Sequence, residues 1–426
     1  MLSPLDDRYF EKVRELHDYF SEDAMLKIKA RIELDYFVAL CEELKLPLND
    51  TDRHWITHIW NDIQTIHIKL YEEKTKHDIK AIEYYLRERF KHFNIPHDHM
   101  IHFGLTSQDV NSLATSLMLD RFNQSEMTYY VEDVLDCIHK FAQENKCIFP
   151  ARTHGQLAVP TLFEKEMEVF ISRINDVWIE TSNFAFKAKF GGAVGNLSAH
   201  YIAFPDHDWT KFVDKFLRKL DIDREEYTTQ VSNNISIAQY FDKIRTINNI
   251  LINLCRDIWM YNSYGYLKQQ VSSEEVGSST MPQKINPILF ENAEGNLELS
   301  NCLLDFMSNK LIVSRMQRDL TDSTILRNMG VALGHAVVAY KSIMQGLKKL
   351  SINKENIEKD LTNTGLLAEA YQILLKKQNI KDGYELIKEM ERAGSNINDL
   401  NIPESLKENL KSVTINDYVR HIRDKT

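Results

Sequence analysis

The stretch IRTINNILINLCRDIWMY, residues 244–261, decides the fold. Its side chains Ile244, Ile247, Leu251, Leu254, Ile258 and Tyr261 recur at spacings of three and four. That is the period of a helix with one face turned to a core, and not the alternation of a half-buried strand. The stretch lies in a proline-free run from 206 to 281, and upstream Met167, Phe170, Ile171, Ile174, Val177 and Trp178 repeat the pattern. Two more proline-free runs, 97–149 and 288–402, leave room for long helices, since proline lacks the helical donor and clashes with the preceding turn. The whole chain of 426 residues holds only 14 Gly and 9 Pro, where average usage is about 7% and 5%. Turn-dense sandwiches, propellers and Gly-rich nucleotide-cradling folds consume more of both. Runs of β-branched residues with period two are scarce and no short period repeats, so neither a sheet core nor a solenoid is expected. The pattern predicts an all-α fold built on a long helix bundle.

Hydrophobic residues at 43% and charged residues at 27% describe a globular chain rather than a disordered one. With 52 Lys+Arg against 62 Asp+Glu the net charge is −10, which speaks against a general nucleic-acid binder but leaves room for a local basic pocket. No window approaches the 18 uncharged apolar residues of a membrane span, and MLSPLDDRYFEKVRE has acids where a secretory signal has an apolar core. Cys41, Cys137, Cys147, Cys255 and Cys302 are scattered and show no C-x-x-C spacing, which fits reduced thiols; a cytoplasmic protein is expected. His97, His99 and His102 in PHDHMIH have a His-x-His spacing, but no Cys or carboxylate set completes a metal site, so none is expected. Pro, Gly and polar residues cluster in FKHFNIPHDHMIHFGLTSQD (90–109), and beyond 340 the chain becomes Lys-rich. These shifts suggest helical domains at 1–105, 106–340 and 341–426.

One segment interrupts the helical pattern, SSEEVGSSTMPQKINPILFENAEGN, residues 272–296. Gly277, Ser278, Ser279 and Thr280 expose backbone N–H groups, and Pro282 and Pro287 pin the chain where it enters a helix with Asn286 as N-cap and Pro287 at N1. Lys284 adds a positive charge, so the loop offers donors, a cation and a helix N-terminus to a carboxylate. Taken without its context it is equally a Ser-rich surface turn.

Within this segment, GSSTMPQKINP (277–287) resembles the signature loop GSSxMPxKxNP of the fumarase/aspartase superfamily, whose members eliminate fumarate from a succinyl group. Over nearly its full length the chain is similar to the bacterial adenylosuccinate lyases within it. The markers are SPLDDRY (3–9), KTKHDIKAIEYYL (74–86), FGLTSQDVN (103–111), ARTHGQLAVP (151–160), GGAVGN (191–196), YTTQ (227–230) and SRMQRDLTDSTILRN (314–328). The T-x-H-D, R-T-H-G-Q and QRDLTDSTxLR segments resemble this purine branch more than fumarase, aspartase or argininosuccinate lyase. The resemblance implies three helical domains, the central one forming the core of a homotetramer. It also implies active sites shared between three chains, a succinyl-purine nucleotide or ribotide as small-molecule substrate, and no cofactor.

Fumarate elimination needs a base for the proton beside a carboxylate, donors for the resulting dianion and an acid for the departing nitrogen. The resemblance assigns Ser278 as the base, within signature loop 272–287; Ser279 is its nearest competitor. A serine hydroxyl needs a site that stabilises its alkoxide, which N–H donors and Lys284 supply. His154 matches the general acid, with a pKa range suited to a purine amine leaving group. His77, followed by Asp78, matches a histidine that binds substrate or shares the acid role. Lys76 is a phosphate contact or a solvated helix-face lysine. For carboxylates and phosphate the resemblance offers Arg8 with Tyr9, Lys284, Arg318 and Arg327, Arg being suited to planar bidentate recognition. Thr106, Ser107, Gln230, Asn286, Asn292 and Ser323 supply further polar contacts.

Leu157 and Val159 stand where relatives often carry Pro and Thr, and VSNNIS (231–236) lacks the acidic or His residues common after YTTQ. Neither departure removes a proposed catalytic group. Two rival readings are an argininosuccinate-type lyase and a silent helical scaffold. Intact Ser278, His154, His77 and Lys284 oppose the second.

Overall fold

A computed structural model of the chain describes residues 2–270, 280–281 and 283–423. Helices dominate it, the longest being Ile235–Ser263, Ile288–Leu311, Glu22–Glu43, Phe163–Ser182 and Met329–Leu347. At 1.5 Å per residue, the 29-residue helix Ile235–Ser263 is about 43 Å long. Ile244, Ile247, Leu251, Leu254 and Ile258 are each at most 1% exposed, which is the stripe that the spacing predicts. Ile250, Ile252 and Cys255 are buried as well, so this helix is covered on more than one face. No helix among the described residues is long and apolar enough to cross a membrane.

Strands among the described residues form only three two-stranded sheets. The largest is an antiparallel hairpin, Ile148–Thr153 with Gln156–Leu162, which pairs Ile148 with Leu162 and Thr153 with Gln156. Sequence periodicity does not reveal it, because its buried positions fall in runs, 149–150 and 160–162, instead of alternating, and the register shifts between Pro150 and Arg152.

The fold divides into two compact units. One comprises Met1–Val131, Val177–Asn249 and Gly295–Ala339; the other comprises Glu132–Asp176, Ile250–Glu294 and Tyr340–Thr426. The second unit carries the hairpin and a C-terminal set of short helices around Leu367, Tyr371, Leu375, Ile387, Met390, Leu400 and Leu410. Helix Ile288–Leu311 begins one residue later than the Asn286 cap with Pro287 at N1 would place it: the Pro287 carbonyl accepts from the Phe290 and Glu291 N–H groups, so Pro287 stands just outside the first turn.

In the first unit, helix Ser107–Phe122 is buried along most of its length, polar residues included. Its Asp109 has no exposed side-chain surface and meets Lys189, equally enclosed, with Nζ 2.6 Å from Oδ1. The same carboxylate accepts N–H bonds from Gly191 at 2.7 Å, Gly192 at 3.1 Å and Thr106 at 2.7 Å. Lys189 also donates to the Gly192 carbonyl at 2.6 Å. Burial pulls the Lys189 ammonium below its ordinary pKa, and the charge of Asp109 works against that pull. Two of the sequence markers, FGLTSQDVN and GGAVGN, are thus one buried cluster. Removing one member of a buried ion pair leaves its partner uncompensated. Asp109→Ala is therefore expected to lower stability by about 3–5 kcal/mol, and Asp109→Ala/Lys189→Met to lower it by less than the sum of the single changes; urea unfolding of the three variants checks both.

Candidate active site

The first unit contains a cavity of about 460 Å³, within the size range of small-molecule sites. Lys76, His77, Asp78, Ser107, Arg318, Ser323 and Arg327, drawn from three separate sequence markers, all line it.

The first wall is a joint between helices. Helix Thr65–Thr75 ends with Lys76 in the left-handed region, at φ 54°, and helix Asp78–Phe93 starts at once with His77 as its N-cap. Thr75 Oγ1 accepts the His77 N–H at 3.3 Å and donates to the His77 carbonyl at 3.0 Å. His77 Nδ1 accepts the Lys80 N–H at 3.3 Å, which leaves Nε2 as the protonated nitrogen of the neutral ring. Asp78 closes the joint from below: its Oδ2 is 2.7 Å from Nζ of Lys29, whose side chain is 6% exposed. Burial opposes the Asp78 charge, but the Lys29 charge and hydrogen bond, with the Ile79 N–H, hold its carboxyl below its ordinary value. The T-x-H-D motif therefore encodes a rigid corner that aims a half-exposed imidazole at the cavity.

A second part of the lining begins with Ser107, the first residue of helix Ser107–Phe122, which Thr106 precedes. Gln230 Nε2 donates to Thr106 Oγ1 at 3.2 Å, and the Gln230 N–H donates to the Gln317 carbonyl at 3.1 Å. Arg318 Nη1 donates to Ser107 Oγ at 3.4 Å. These bonds connect Thr106, Ser107, Gln230 and Arg318, of which Ser107 and Arg318 line the cavity while Thr106 and Gln230 do not. Beyond Arg318, Asp319 Oδ1 accepts the Thr321 N–H at 2.8 Å, and Ser323 donates its N–H to Asp322 at 2.7 Å. These bonds shape the entry to helix Thr321–Leu326, which Arg327 follows. With Lys29 neutralised by Asp78, Lys76, Arg318 and Arg327 face Glu72 and Asp322 in the cavity lining, a net excess of one cation, so an anionic ligand can be met by paired guanidinium groups beside carboxylates.

Arg8 and Tyr9 do not line this cavity; Arg8 is exposed and Tyr9 precedes the short helix Phe10–Val13. His154, Lys284, Asn286 and Asn292 belong to the second unit. There His154 is exposed at the tip of the hairpin, at φ 51°, followed by Gly155 at φ 73°. Two positive φ values across a two-residue loop are those of a type I′ turn. Lys284 is exposed, Asn286 is half-buried, and Asn292 accepts from Ser342 Oγ at 3.0 Å. Ser278 and Ser279 lie outside the described residues. Sequence reasoning missed Lys29, Asn111 and Ser112, which also line the cavity. No local motif marks Lys29; only its pairing with Asp78, 49 positions away, reveals it. Among the described residues no cluster of three His, Cys, Asp or Glu could hold a metal ion; His102 instead sits 2.6 Å from the buried Glu33.

A helical fold that gathers a histidine, two arginines and a lysine around one cavity has the makings of a small-molecule enzyme site. A Lyase family model matches residues 53–298, and an adenylosuccinate lyase C-terminal model matches residues 314–419. The chain is 41% identical to an adenylosuccinate lyase of Dictyostelium discoideum, covering 99% of this chain and 97% of that one. It is 39% identical to an adenylosuccinate lyase of Legionella pneumophila strain Corby, covering 98% and 96%. Its fold matches a crystal structure of a fumarate lyase from Mesorhizobium sp. BNC1 with a TM-score of 0.74 at 16% identity, over 96% of this chain and 95% of that one. The chain belongs to the adenylosuccinate lyase family of the fumarase/aspartase superfamily.

The depressed Asp78 carboxyl contributes stability that is present above its ordinary value of about 3.9 and is lost as pH falls through its lower folded value. Asp78→Asn removes the carboxylate from an enclosed lysine, and should cost about 3 kcal/mol at neutral pH. The gap to the unaltered chain should narrow in acid; urea midpoints at about pH 7 and about pH 3 check this.

Proposed function

We propose that the chain cleaves adenylosuccinate to AMP and fumarate, and SAICAR to AICAR, by general acid/base β-elimination in purine biosynthesis. What carries this reading is its kinship to adenylosuccinate lyases from end to end, to which the cavity adds Arg318, Arg327 and Lys76 as groups that can meet an anion. Ser278, as its alkoxide, takes a proton from the carbon beside a succinyl carboxylate. The electron pair moves into that carboxylate, and Lys284 with loop N–H groups stabilises the dianion. The C–N bond then breaks as the pair returns to form the double bond of fumarate, and the departing purine nitrogen takes a proton from His154. His77 binds substrate and shares the acid role, with Asp78 fixing its corner.

Arg318, Arg327 and Lys76 bind the anionic groups of the substrate, joined by Arg8 and Tyr9. Thr106, Ser107, Gln230, Ser279, Asn286, Asn292 and Ser323 complete its polar contacts. Proton transfers and fixed donors suffice, so the reaction needs no cofactor. The active form is a cytoplasmic homotetramer of three-domain chains (1–105, 106–340, 341–426), each site drawing on three of them. This assembly is the one that the kinship implies.

Incubated with adenylosuccinate, the purified chain should release AMP and fumarate in equal amounts; turnover of argininosuccinate alone would overturn the substrate. Ser278→Ala should lower kcat by at least about 10²-fold. Near-normal turnover in that variant would move the base to another residue, Ser279 first.

A further inference from the structure

The hairpin tip that presents His154 is held by one side chain. Arg152 lies on the first strand just after the bulge, where the register slips between Pro150 and Arg152. Its guanidinium sits on the face of Tyr264, 4.1 Å from the ring centre. Nη1 donates to the Gly155 carbonyl at 3.2 Å, inside the turn itself. On the other side Nε and Nη2 donate to the Tyr266 oxygen at 3.2 and 3.0 Å, and Nη2 donates to Asp360 Oδ2 at 3.0 Å. The Tyr266 hydroxyl in turn donates to the same Asp360 oxygen.

Burial, followed by the bond to Asp360, pushes the Tyr266 phenol up to about 12, so it remains a neutral donor. Its main chain is fixed too: the Asn353 N–H donates to the Tyr266 carbonyl at 2.8 Å, and the side chains of Asn353 and Asn356 donate to the Gly265 carbonyl at 2.8 and 3.1 Å. Gly265 has φ 70°, a conformation that favours glycine, and a Cβ there would lie 2.4 Å from Asn356 Nδ2, so a side chain would displace the Asn356 amide from the Gly265 carbonyl.

A histidine in the left-handed region is tolerated rather than preferred. The turn that carries it therefore depends on outside contacts to keep a single shape. Arg152 supplies one from a planar fork whose two sides reach the turn and the anchor at once, a geometry that lysine lacks.

We propose that Arg152, Tyr266 and Asp360 form a positioning network that holds the Thr153–Gln156 turn so that His154 meets the leaving nitrogen. This rests on His154 acting as the general acid. The three residues touch no reacting atom; they act through the turn. Full-length Tyr266→Phe and Asp360→Asn should each lower kcat on adenylosuccinate by about 10-fold, and Arg152→Lys by about 10²-fold, the scale of a small misplacement of a catalytic group. KM should stay within about twofold, because binding groups are untouched. Combined with His154→Ala, none of the three should lower kcat further, since a turn without its acid has nothing to position. A structural defect alone would instead add its loss to that of His154→Ala. If Arg152→Lys fails to fold, Tyr266→Phe, which deletes a single oxygen, decides the matter. Unaltered kcat in Tyr266→Phe and Asp360→Asn alongside a crippled His154→Ala overturns the network alone. Normal turnover by His154→Ala itself overturns the acid assignment on which it rests.

Discussion

Asp109 is enclosed, charged and shared. A carboxylate without access to water needs every lone pair met from within the protein, and here the donors are Lys189 and the N–H groups of Gly191, Gly192 and Thr106. Those partners lie on separate segments, so the cluster fixes several chain directions at once. The start of helix Ser107–Phe122 is set against the glycine turn, and this places Thr106 and Ser107 where Gln230 and Arg318 reach them. The placement of Ser107 in the cavity lining thus follows from satisfying one buried charge.

The lining at His77 uses the same physics on a smaller scale. Lys29 and Asp78 neutralise each other below the T-x-H-D corner, while the Thr75 hydroxyl binds both main-chain groups of His77 above it. Left-handed backbone occurs at several non-glycine positions among the described residues, three of them inside the markers. Lys76, His154 and Met316 all have positive φ, at 54°, 51° and 49°, and each lies within a marker that carries proposed site residues. Such conformations persist only where surrounding bonds over-determine them, and the bonds are visible at Thr75 and at Arg152.

Periodicity made the helices legible because helical side chains one turn apart share an environment: Ile244, Ile247, Leu251, Leu254 and Ile258 are buried as their spacing requires. The hairpin at 148–162 escaped notice because it is short and bulged and its buried positions fall in runs, so no alternation rises above background. Among site residues, those in dense motifs were legible, and the cavity gathers Lys76, His77, Asp78, Ser107, Arg318, Ser323 and Arg327. Lys29, Lys189 and Asp360 were not, because each matters only through a partner at least 49 positions away.

The sequence by itself determined the helical class, the family and the chemical types available to the site, since these depend on residue identity and local spacing. Only the tertiary structure decided which groups neutralise one another and which remain free. Lys29 is silenced by Asp78 and Lys189 by Asp109, whereas Lys76 and Arg327 stay exposed. Charge pairing acts through space over a few ångströms, and distance along the chain carries almost no information about it.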